Sequence, residues 1–179
     1  MKKSLLFLTI IAISLLLISC SKDDEDTVTP PPTDPIVATW VSEGANVPIG
    51  LRVAPFKIKK IVATFNTNKS YTVVQTDSSN VQTTFTGTYT NTETSYIDTF
   101  TVYGTKNAKI WTIVANQSSP SAVTATGIYA ISGSNMTYEI IQTTPPIAGV
   151  SAPTAQGGFG STTIAGVKYN WYVQKYVKQ

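Results

Sequence analysis

The chain of 179 residues contains no histidine and only one cysteine, Cys20. Without histidine there is no Ser-His or Cys-His nucleophile pair, no imidazole proton shuttle and no histidine metal site. A single cysteine excludes an intrachain disulfide and a zinc finger. Charged residues are 13% of the chain, against the roughly 25% usual in soluble domains. From residue 36 on, the acids are Glu43, Asp77, Glu93, Asp98 and Glu139, which form no local cluster to hold a metal. A glycosidase needs two carboxylates facing one sugar bond. Asp98 and Glu139 fall on different expected strands and could converge, but each reads first as a paired or exposed strand residue. The expectation is a non-enzymatic protein with no catalytic residues, no metal and no cofactor. What the chain does have is threonine in alternating runs around 83–94, nine tyrosines and ten prolines.

Residues 1–19 read as an address. Lys2 and Lys3 precede an apolar run from Leu5 to Ile18, too short to span a bilayer comfortably but suited to a signal peptide. The run ends in Leu17-Ile18-Ser19-Cys20. This resembles the lipobox of bacterial lipoproteins. The resemblance implies cleavage before Cys20 and acylation of its sulfur and new amine; two or three chains make a stable membrane anchor. The next residues, Lys22-Asp23-Asp24-Glu25-Asp26, are similar to the signal that sends lipoproteins of one Gram-negative group to the cell exterior; the plain alternative is a solvated acidic tether. Pro30-Pro31-Pro32 and Pro35 form a semi-rigid spacer. The expected organisation is therefore a signal peptide at 1–19, a lipidated tether at 20–35 and one domain at 36–179, lipid-anchored in the outer membrane and facing outward.

Charge separates along the chain. Residues 22–35 hold one lysine and five acids, and residues 36–179 hold ten basic and five acidic side chains. The positive charge is dispersed apart from Lys57, Lys59 and Lys60. That cluster reads as a solvated strand face, and no nucleic-acid partner is expected.

From Ile36 onward no helical period is sustained. Short alternating or β-branched runs recur between Asn, Gly, Ser and Pro. They predict strands at 36–42, 56–66, 70–77, 81–90, 95–103, 108–116, 121–131, 135–142 and 167–177. Short connections make neighbours antiparallel. The expected fold class is all-β, an antiparallel up-and-down meander of eight to nine strands closed into a barrel, which removes exposed edges. A slip of phase at Lys59-Lys60 predicts a β-bulge. Residues 71–89 and 111–129 match at eight of nineteen positions with an offset of 40, including Thr86-Gly87-X-Tyr89 and Thr126-Gly127-X-Tyr129. Two similar hairpins explain this more simply than duplication. Gly87 and Gly127 fall inside strands, where glycine marks a bend or a close backbone approach.

Ala38-Thr39-Trp40, at the head of the first strand and followed by the meander, resembles the Gly-X-Trp opening of lipocalin-like (calycin) barrels. The resemblance implies that Trp40 closes the base of the barrel and packs against a basic residue of the last strand, here Lys175 or Lys178. It also implies a barrel that holds a small apolar ligand; the chain is expected to be a monomer. The aromatics expected to line such a cavity are Trp40, Phe85, Tyr89, Phe100, Tyr129 and Trp171, with Gly87 leaving room between Phe85 and Tyr89. A surface scaffold or glycan-binding protein without an internal pocket is the alternative. Residues 144–166 are long for a hairpin loop and read either as a lid over the barrel mouth or as an excursion without a fixed place.

Overall fold

The structure is a computed structural model that describes residues 34–99 and 104–179. Cys20, the signal peptide, most of the tether and Phe100 lie outside the described residues.

Eight strands form a closed antiparallel barrel: β1 (Ala38–Glu43), β2 (Ile58–Phe65), β3 (Ser70–Asp77), β4 (Gln82–Ile97), β5 (Lys109–Ser119), β6 (Val123–Ser132), β7 (Asn135–Thr144) and β11 (Val173–Lys178). Consecutive strands pair, and β11 closes the ring between β7 and β1. Between β7 and β11 the chain leaves the barrel and forms a small sheet of β8 (Val150–Ser151), β9 (Thr163–Ile164) and β10 (Val167–Lys168). One helical turn, α1 (Ile49–Arg52), lies between β1 and β2. The expected meander is therefore present, with eight barrel strands, and it is compatible with a lipocalin-like fold.

Alternation decides what the barrel buries. Trp40, Ile61, Ala63, Phe65, Tyr71, Tyr89, Ile113, Tyr129, Met136, Tyr138 and Tyr176 pack into one interior core. Thr84, Thr86, Thr88 and Thr90 of β4 fall on the opposite face, exposed or half-buried. The pairing register shifts between Ile58 and Lys60, so the bulge expected from the phase slip is there.

Two strand assignments change. The runs expected at 81–90 and 95–103 are replaced by a single sixteen-residue strand, β4, that ends at Ile97. Asn91, a residue disfavoured in strands, continues the strand because its amide has partners inside the barrel, Asp34 Oδ1 at 2.8 Å and the Tyr129 hydroxyl at 2.6 Å. The last strand starts at Val173 rather than 167, after a turn in which Val173 N–H donates to the Asn170 carbonyl.

The segment around 144–166 is neither a lid over the mouth nor an excursion without a place. It lies against the outside of the barrel. Ala155 and Phe159 pack on Ile110, Ile128, Ala130 and Val173 to make a second, smaller core. Glu139, fully buried on β7, accepts hydrogen bonds from the Gly160 and Thr162 N–H groups at 2.7 and 3.1 Å. This explains the apolar residues on the outward face of β5 and β6.

The two similar hairpins differ in register. Tyr71 opposes Gly87, but its counterpart Trp111 opposes Tyr129 rather than Gly127. Both glycines nonetheless serve close approach. A Cβ on Gly87 would sit 2.1 Å from the Asn116 carbonyl oxygen, and one on Gly127 would sit 2.2 Å from that of Glu139.

Candidate functional site: a barrel closed at one end

The barrel has a packed end and an open end. At the packed end Trp40 is fully buried and its indole N–H donates to the Ile36 carbonyl at 2.8 Å. Lys178, its register partner on β11, holds its ammonium 6.0 Å from the centre of the Trp40 ring. Trp40 thus closes the base with Lys178, not Lys175, as the basic residue beside it.

Asp34 completes that end. Its carboxylate accepts from Lys69 Nζ at 2.7 Å, Asn91 Nδ2 at 2.8 Å, the Tyr89 hydroxyl at 3.0 Å and Ile36 N–H at 3.3 Å. Burial alone would raise the Asp34 pKa; the donors led by Lys69 outweigh it and hold the carboxyl below its ordinary value. Tyr89 and Tyr129 are shifted upward, first by burial and also by the Asp34 charge. They stay neutral phenols. Asp34, placed in the tether by its sequence, therefore belongs to the fold, and the chain enters the barrel at its closed end.

Beyond this base the barrel holds a cavity of about 200 Å³ that opens to solvent. Phe65, Tyr71, Tyr138 and Tyr176 give it aromatic walls, Ile61, Val73 and Ile140 aliphatic ones, and Leu51 of α1 reaches in from the mouth. Gln75, Gln117 and Gln174 are its amide groups, and no charged side chain of the described residues lines it. Burial pushes the phenols of Tyr71, Tyr138 and Tyr176 up, so they too stay neutral. An outer recess of about 390 Å³ shares Leu51, Gln75 and Phe85 with the cavity and adds Phe56 and Asp77. Gly50 N–H ties α1 to the Trp171 carbonyl at 3.0 Å, which fixes the turn that carries Leu51.

The six aromatics expected around a ligand are distributed unevenly. Phe85 lines the cavity and the outer recess. Trp40, Tyr89 and Tyr129 are fully buried in the base and are not among the cavity-lining residues. Trp171 is outside it, 46% exposed, with its ring 4.8 Å from that of Tyr169. Phe100 is outside the described residues. Gly87 leaves no gap beside Phe85 and Tyr89, because the backbone of Asn116 fills that space.

The sequence reading missed Leu51, Gln75, Gln117 and Gln174, and its six ligand aromatics left out the walls Phe65, Tyr71, Tyr138 and Tyr176. For the glutamines the signal was present: Gln75 shares strand parity with Tyr71 and Val73, and Gln174 with Tyr176. Leu51 had no such signal, since a four-residue helical turn is shorter than any period. Compared with known proteins, the chain matches no family model, no curated protein and no solved structure.

Proposed function

We propose that this chain is a cell-surface lipoprotein, anchored through lipid on Cys20, whose barrel binds one small, largely apolar ligand without transforming it. The observation that carries the binding reading is the cavity itself, open at one end, apolar in its walls and uncharged. An engineered apolar cavity of about 150 Å³ takes up benzene, so a space of this size suits a compact ligand of one or two rings. Burial of apolar ligand surface would contribute roughly 25 cal/mol per Å², before the cost of association.

The test of binding is titration of a neutral naphthalene fluorophore into the unlipidated mature chain, residues 20–179 with Cys20→Ser. Saturable binding is expected, and Ala125→Phe, which fills the cavity, should abolish it while the barrel stays folded. Equal binding by both proteins would remove the cavity from the account. The anchor rests on Leu17-Ile18-Ser19-Cys20. Cells grown with labelled palmitate should label the wild type and spare Cys20→Ala, and protease added to intact cells should remove the domain. Replacing Asp23 to Asp26 with alanine should protect it.

One observation favours a second reading. Tyr169 and Trp171 form an aromatic pair on the outside of the barrel, and exposed aromatic faces stack on sugars. Retention of the wild type on a polysaccharide column, lost in Trp171→Ala, would support glycan binding.

A further inference from the structure

Gln174 is the odd residue of the cavity. It is only 5% exposed and lines the space directly, yet its Nε2 forms no hydrogen bond with any described residue. The amide lies near enough to the Tyr176 hydroxyl to favour the phenolate, but outside hydrogen-bond geometry. An amide donor withheld from water with no partner costs about 1–3 kcal/mol, so a buried one in a native fold calls for an explanation. The amide can turn end for end about its terminal torsion. That turn exchanges the places of the NH₂ group and the oxygen, so the donors can be presented to the other side of the side chain.

The rest of the cavity narrows the chemistry. Among the described residues its walls carry no cation to neutralise a carboxylate, sulfonate or phosphate, and Asp77 in the outer recess adds negative charge. Its tyrosines are uncharged donors. An anionic head would be desolvated there without a counter-ion, which is costly. A neutral carbonyl, ester, amide or hydroxyl oxygen can instead accept from the uncharged amide and phenol groups of the lining.

We propose that the barrel selects a neutral, compact apolar ligand bearing one hydrogen-bond acceptor, and that the Gln174 amide binds that acceptor. This rests on the cavity being a ligand site, and it names the ligand class. Gln174 is then a specificity residue: it contributes little to affinity for a hydrocarbon and orients a ligand that has an oxygen.

The experiment uses three probes of nearly one shape: 2-ethylnaphthalene, 2-acetylnaphthalene and 2-naphthoate. Each is titrated by calorimetry at pH 7.5 into the unlipidated mature chain and into Gln174→Leu and Gln174→Met. Both variants should melt at or above the wild-type temperature, because they remove an unsatisfied donor. Loss of the amide should weaken 2-acetylnaphthalene about five- to tenfold and should not weaken 2-ethylnaphthalene. In the wild type 2-naphthoate should bind at least tenfold less tightly than 2-acetylnaphthalene. If the neutral probes bind but both variants change them alike or not at all, the role of Gln174 is overturned and the pocket stands. If 2-naphthoate binds as tightly as the ketone, the neutral ligand class is overturned. If no probe binds the wild type, the pocket reading fails and this inference fails with it.

Discussion

Lys178 faces Trp40 across the β1–β11 seam and places its ammonium 6.0 Å from the centre of the indole ring. The first and last strands of the barrel are thus joined by a side-chain contact as well as by backbone pairing. The two partners contribute unequally. Trp40 is fully buried, with its N–H satisfied by Ile36, so its removal leaves a large void. Trp40→Ala should cost about 3–5 kcal/mol in urea unfolding. Lys178→Met keeps most of the aliphatic stem over the ring and should cost no more than about 1 kcal/mol, the size of an exposed cation–π contact. Comparable losses from the two substitutions would mean that the seam depends on charge rather than packing.

Asp34 ties the segment before the barrel to the β2–β3 turn through Lys69 and to β4 through Tyr89 and Asn91. A chain that begins at residue 36 lacks it, and Lys69, Tyr89 and Asn91 lose a shared acceptor. We expect Asp34→Ala and a start at residue 36 to destabilise the barrel similarly, by about 2–3 kcal/mol. The pH dependence has a definite sign. The Asp34 carboxyl is held below its ordinary value of 3.8 in the fold. Its contribution is fully present above that value and is lost as pH falls through the lower folded pKa. Urea midpoints measured from pH 5 downward should fall more steeply for the wild type than for Asp34→Ala. Parallel curves would show that Asp34 is not the group lost.

Gly87 and Gly127 stand where adjacent strands cross closely, and a methyl group at either would meet a neighbouring backbone carbonyl at 2.1 or 2.2 Å. Backbone cannot swing aside as a flexible side chain can. Gly87→Ala and Gly127→Ala should each cost about 3 kcal/mol, at the upper end for overpacking. The damage should be local: Gly87→Ala should expose amides at the β4–β5 pairing, and Gly127→Ala at the β6–β7 pairing, in hydrogen exchange. Wild-type protection in both variants would show that the strands have room after all.

The sequence disclosed the barrel because its signals were local and periodic. Alternation gave the inward sets such as Phe85, Gly87 and Tyr89, the phase slip gave the bulge after Ile58, and the interior glycines marked the tight crossings. The site was less legible for three physical reasons. The strand parity of Tyr89 and Tyr129 is inward, but parity carries no height along the barrel axis, so base and cavity residues look alike. Gln174 was overshadowed by its aromatic neighbours, although its parity with Tyr176 was plain. Asp34 sits in a proline-rich stretch, and its role depends on Asn91 and Tyr89, more than fifty residues away. The cover on the outer wall was not legible: only tertiary contact brings Ala155 and Phe159 onto Ile110, Ile128, Ala130 and Val173.

Glu139 is the hinge point of that cover and the basis of the last prediction. It is fully buried on the outside of β7 and accepts N–H groups of Gly160 and Thr162. Burial raises its pKa, and contacts from residues 160–162 pull it back only in part. For a carboxyl raised in the fold, the native state holds the proton more tightly than the unfolded chain. Its stability is therefore greatest below the ordinary value of 4.5 and declines as pH rises through the folded pKa, the reverse of Asp34. In Glu139→Gln one oxygen still accepts, but an NH₂ group is turned against the other backbone N–H. That conflict should cost about 1–3 kcal/mol. The loss should appear as faster hydrogen exchange at Gly160 and Thr162, while protection within β3 and β4 and binding of the naphthalene probe are kept. The variant should also lose the decline in wild-type stability as pH rises above 4.5. If Glu139→Gln instead opens β3 and β4 together with the cover, the cover is part of one cooperative unit with the barrel, and its separate attachment through Glu139 is refuted.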